Sequence, residues 1–122
     1  MVTDHRLHPR LLVRIPGEYR VEGSSTWHRA TIHDLSAGGA TLLTMDRLPP
    51  KTVVRLRFSL PGEGSRLPHP IEIETLVLRT DAHTSSAGNV LYRQALHFLD
   101  LQGEPFERVR HYVFDRREGA TT

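Results

Sequence analysis

The sequence predicts an all-β domain: a six-stranded antiparallel barrel followed by a C-terminal helix. Short segments of alternating apolar and polar residues recur as far as Leu99. Clusters of Gly, Pro, Ser and Asn separate them, as turns separate strands. Beyond Pro105 the apolar period lengthens from that of a strand to that of a helix. At 122 residues, 38% of them apolar, the chain builds one modest core and not two.

Ile15 to Val21 is the first short strand, ending at the turn-like Glu22-Gly23-Ser24-Ser25. Trp27 to His33 follows, with Ala30 and Ile32 on one face and Trp27, Arg29 and Thr31 on the other. Asp34 to Gly39 turns the chain into a third strand, Ala40 to Met45. Thr52 to Leu60 alternates most cleanly, facing Val54, Leu56, Phe58 and Leu60 inward and Arg55 and Arg57 outward. Pro61 to Pro70 reads as a loop, Ile71 to Thr80 as a long strand, Asp81 to Asn89 as a polar connection and Leu91 to Leu99 as the last strand. Phe106, Val109, Val113 and Phe114 then fall at helical spacing. Glu104 and Pro105 suit that helix's start and its late arginines suit its end. The expected organisation is a flexible arm over 1–14, a barrel with its helix over 15–117 and a disordered tail over 118–122.

Composition excludes several function classes. There is no cysteine, hence no disulfide or thiolate metal site, which fits a cytoplasmic protein. No apolar run approaches the roughly 20 residues of a membrane helix, and the polar N-terminus has no signal-peptide core, so no membrane insertion is expected. A net charge of +2 and eight aromatic residues are too few for a single-stranded nucleic-acid groove, so no DNA or RNA partner is expected. The eight histidines show no ligand spacing with an acidic helper, and no nucleophile–base arrangement suggests an enzyme. Glu72 and Glu74 read as a solvated strand face, and Trp27 as barrel packing. Lys51 is the only lysine; every other basic side chain, histidine aside, is arginine, the residue whose flat fork pairs with phosphate or a guanine edge.

The stretch Asp34-Leu35-Ser36-Ala37-Gly38-Gly39 concentrates an acceptor, a hydroxyl and two glycines between two strands. By itself such a stretch is a turn. Upstream lie Arg6, Arg10 and Arg14, which supply two R-x-x-x-R pairs, Arg6/Arg10 and Arg10/Arg14. An R-x-x-x-R pair ahead of D-x-S-x-x-G, here Asp34, Ser36 and Gly39, resembles the double motif of the PilZ domain family. A Leu-x-Leu-Arg pattern ending at Arg79, the Ala-Leu-His-Phe-Leu strand from Ala95 and the final helix extend the resemblance over nearly the whole chain. His8-Pro9-Arg10 resembles the family's usual lead into the first strand, which favours Arg6/Arg10, with Arg10 in the site under either register. Ala95 stands where the family often has glycine, and His5 where a further arginine is common.

The resemblance implies a split-barrel type of small β-barrel that binds the bacterial second messenger cyclic di-GMP. It implies no enzymatic activity and no cofactor. Arg6, Arg10 and Arg14 would then meet phosphates and the N7/O6 edge of guanine, or stack on the purine face. Asp34 would accept from guanine N1–H and N2–H₂, Ser36 would donate to a phosphate or purine acceptor, and Gly39 would permit positive φ and close ligand approach. Binding would order the arm and relay the signal to an effector protein in motility, exopolysaccharide or virulence control. The alternative is a PilZ-like adaptor that binds no nucleotide and works through protein–protein contact.

Overall fold

The computed structural model describes residues 10–61 and 70–120. Six strands, β1 (Leu11–Val21), β2 (His28–Leu35), β3 (Gly39–Thr44), β4 (Val53–Phe58), β5 (Ile71–Thr84) and β6 (Val90–Phe98), precede helix α1 (Glu104–Ala120). The strands close into a barrel in the order β1-β2-β3-β6-β5-β4, every pair antiparallel. Closure removes the unpaired edges that an open sheet of this size would present.

The alternation in the sequence decides which side chains enter. Ile15 and Tyr19 of β1, Ile32 and Leu35 of β2, Leu42 of β3, Val54, Leu56 and Phe58 of β4, Val77 of β5 and Phe98 of β6 form one buried core. Helix α1 lays Val109 and Val113 onto that core and contacts β5 and β1, with Phe106 buried beside them. Phe114, expected on the same face, is exposed, because it falls about 140° round the helix from Val109.

Several boundaries differ from the sequence reading. Strand β1 begins at Leu11, where Leu11 pairs with Leu35 and Leu12 with Asp34, so 11–14 belong to the barrel and not to an arm. Strand β5 continues to Thr84, leaving a tight turn in which the Ser85 N–H donates to the Asn89 carbonyl at 2.8 Å. Helix α1 runs to Ala120, further than the expected end at 117. The expected loop over 62–69, and Arg6 with the first nine residues, lie outside the described residues.

Three β-bulges interrupt the register: on β1 between Leu12 and Ile15, on β2 between Ile32 and Asp34, and on β5 between Val77 and Arg79. Each places an extra residue on one strand, which breaks strict alternation and re-aims the neighbouring side chains. On β2, Ile32 and Leu35 point inward while His33 and Asp34 share the outer face. On β5, Val77 points inward and the adjacent Leu78 and Arg79 are both exposed.

Candidate functional site

The bulges on β2 and β5 flank a single row of cross-strand partners on the barrel's outer face. Leu12 of β1 stands opposite Asp34 of β2, Asp34 opposite Thr41 of β3, Thr41 opposite Ala95 of β6, and Ala95 opposite Arg79 of β5. Three strand spacings separate Asp34 from Arg79, about 14 Å. Within this row the residues between Asp34 and Arg79 are the small Thr41 and Ala95. A shallow trough results, polar at both ends and flat between them.

Two adjoining clefts of about 290 Å³ and 280 Å³ occupy this region, and Arg10, Asp34 and Ala95 line both. The first adds Arg79, Asp81 and Arg93; the second adds Ser36, Gly38, Gly39, Leu78 and Leu101. Asp34 is only 9% exposed, and its Oδ2 lies 3.7 Å from a terminal nitrogen of Arg10. At the far end Arg79 Nε donates to Asp81 at 3.1 Å, and Arg93 meets His83 Nδ1 at 3.1 Å. The clefts thus gather three arginines around two carboxylates and a flat floor, an arrangement able to hold an anionic, planar, polar molecule.

The turn after β2 is held by Ser36. Its Oγ accepts from the N–H groups of Gly38 at 3.2 Å and Gly39 at 3.1 Å, and its own N–H donates to the Gly39 carbonyl at 2.9 Å. The hydroxyl expected to reach a ligand is therefore engaged inside the turn, although Ser36 lines the second cleft. The Phe98 N–H donates to the Gly38 carbonyl at 2.9 Å and ties the turn to β6. Gly39 is required for a different reason from the one expected. Among the described residues the glycines at positive φ are Gly23, Gly88 and Gly103, not Gly39. Instead, a Cβ at Gly39 would collide with the Leu96 carbonyl oxygen, so the absent side chain lets β3 approach β6.

Arg10, Asp34, Ser36 and Gly39 are thus brought together. Arg14 is not: it is exposed on β1 and lines a separate, larger cleft. Arg79, Arg93 and Thr41 were missed as site residues. Only the Leu-x-Leu-Arg pattern pointed toward Arg79; the other two become neighbours of Asp34 through pairings between distant strands. Trp27, expected as barrel packing, is half-buried and outside the core; it lies under Arg57, whose guanidinium carbon is 3.9 Å from the ring centroid. Among the described residues no group of histidines and carboxylates is placed to hold a metal ion, and no helix is long and apolar enough to cross a membrane.

The strands thus form a closed six-stranded barrel with an arginine-lined trough on its outer wall. The model of the PilZ domain matches residues 4–115, and the chain belongs to that family. Solved structures with the same fold include the inhibitor of motility MotI/DgrA of Bacillus subtilis (19% identity, TM-score 0.73, covering 96% of this chain and 53% of that one). The PilZ domain of YcgR from Escherichia coli, solved with c-di-GMP, matches at 12% identity and TM-score 0.73, covering 96% of this chain and 95% of its own. The MrkH–c-di-GMP complex of K. pneumonia matches at 18% identity and TM-score 0.73, covering 98% of this chain and 56% of its own. The chain spans about half the length of MotI/DgrA and MrkH. No curated protein matches the sequence.

Proposed function

We propose that the chain is a receptor for cyclic di-GMP and that the Asp34–Thr41–Ala95–Arg79 trough is its nucleotide site. The observation that carries this reading is the spacing of opposite charges across a flat floor. Asp34 is an acceptor for the N1–H and N2–H₂ edge of guanine, which adenine does not present. Arg79 is set to meet the N7/O6 edge or a phosphate of the same molecule. Family membership and the c-di-GMP complexes of the YcgR domain and MrkH support the same ligand.

Each remaining residue then has a distinct role. Arg10 leaves Asp34 for a phosphate as the guanine edge takes over the carboxylate, so the ion pair holds both groups in place before binding. Arg6, preceding the barrel, supplies the second arginine of the arm; Arg14, on the strand and lining another cleft, is the less suited of the two. Ser36 and Gly39 shape the turn that presents Asp34. Binding does no chemistry on the nucleotide. It draws the arm over the outer wall and presents a changed surface to an effector protein in the bacterial cytoplasm. Calorimetric titration tests this: cyclic di-GMP gives a saturable heat, cyclic di-AMP and GTP bind at least about tenfold more weakly, and absence of heat with all three overturns the reading.

A further inference from the structure

The larger cleft, about 930 Å³, crosses the outer face of β4, β1, β2 and β3, from Ser59 and Pro70 on one side to Met45 and Leu91 on the other. Its charges are unevenly matched. Glu18 stands opposite Arg29 on β2 and Arg57 on β4, and its carboxylate accepts two hydrogen bonds from Arg57, at 2.8 Å and 3.1 Å. That pair neutralises itself. Arg14 and Arg29 are exposed, and among the described residues neither has an ion-pair partner. Beside them Met45 is 79% exposed, and Leu43 and Pro16 add further apolar surface.

We propose that this groove docks an extended acidic segment of a partner protein. Its carboxylates would sit on Arg14 and Arg29, and an apolar side chain between them would rest on Leu43, Met45 and Pro16. Guanidinium groups without counter-ions call for anionic partners, and an exposed methionine is an adaptable apolar contact. A single nucleic-acid strand would instead need exposed aromatic platforms. Among the described residues lining this groove, the one Phe, Tyr or Trp side chain, Phe58, is buried, and the Trp27 ring beyond it is covered by Arg57. His33 lines both this groove and the Arg10–Asp34 cleft, so a docked segment would abut whatever occupies that cleft. The docking itself stands independently of the nucleotide assignment.

The sequence's single tryptophan gives the readout, because Arg57 both lines the groove and covers the Trp27 ring. The probe is a synthetic peptide of alternating glutamate and leucine, titrated against the full chain by tryptophan fluorescence. Comparison arms are its glutamine-for-glutamate counterpart, a single-stranded oligonucleotide and phosphatidylserine vesicles. The acidic peptide is expected to saturate the signal, with Arg29→Glu and Met45→Asp each weakening it at least about tenfold. Both variants should keep the parent's thermal midpoint and its titration with cyclic di-GMP. The proposal is overturned if the acidic peptide does not saturate, if the glutamine peptide binds equally well or if both variants bind like the parent. It is equally overturned if the oligonucleotide or vesicles bind in its place with Arg29→Glu sensitivity, or if sedimentation shows that the groove serves a second copy of the chain.

Discussion

Replacing Gly39 with alanine adds one methyl group at the most crowded point of the candidate site. The Cβ would meet the Leu96 carbonyl oxygen first, with the carbonyl carbon at 3.2 Å and His97 Cα at 3.4 Å behind it. All three are backbone atoms, so no side-chain rotation relieves the contact. Strand β3 must withdraw from β6 where Gly39 pairs with His97 and Ala40 with Leu96. Overpacking of this kind costs about 1–3 kcal/mol. A chain of 122 residues loses roughly 4 °C of thermal midpoint per kcal/mol, so a drop of about 4–12 °C is expected. Because the same turn directly follows the strand that carries Asp34, affinity for cyclic di-GMP should fall as well. Gly88→Ala is the matched control. Nothing lies within 4 Å of its added methyl, and its φ of +87° alone costs about 1–2 kcal/mol. That variant should lose stability and keep its affinity. A Gly39→Ala protein with the parent's midpoint and affinity would refute the reasoning.

Three further outcomes follow from the geometry. Ala95→Leu, placed on the trough floor, should reduce cyclic di-GMP affinity more than about tenfold in calorimetry while circular dichroism shows an intact fold. Arg79→Ala should weaken binding by about 1–3 kcal/mol and flatten its dependence on salt, since it removes a guanidinium from the ligand's far end. Burial, and secondarily the charge of Asp46, raise the Tyr19 phenol above its ordinary value of 10.0. The unfolded chain therefore releases this proton first, and stability should decline as pH rises above 10; in denaturant titrations Tyr19→Phe should remove that part of the decline.

The strands were legible wherever alternation was strict. Val54, Leu56 and Phe58 face inward as their spacing demands, and Arg55 and Arg57 face outward, where they pair with Glu74 and Glu18. Legibility failed at the bulges. Period two would place Asp34 on the same side as Ile32, inside the barrel; the extra residue on β2 turns it outward beside His33. The extra residue on β5 likewise sets Leu78 beside Arg79. A bulge is a property of two paired strands, and one strand's sequence carries little trace of it. The same limit hid Arg93 and Thr41, which reach the site only through the register of β6 with β3 and β5. The motif residues Asp34, Ser36 and Gly39 were visible as a cluster. Their division of labour was not, because the Gly39 requirement comes from the Leu96 carbonyl of a strand far away in sequence.

Asp34, nearly buried beside Arg10, is the group proposed to read guanine. Titrating cyclic di-GMP into the parent and into Asp34→Ala in the same calorimeter tests it most directly. A saturable heat is expected for the parent and a loss of about 1–3 kcal/mol or more for the variant, which offers the guanine edge no replacement acceptor. Equal affinities for the two proteins would contradict it.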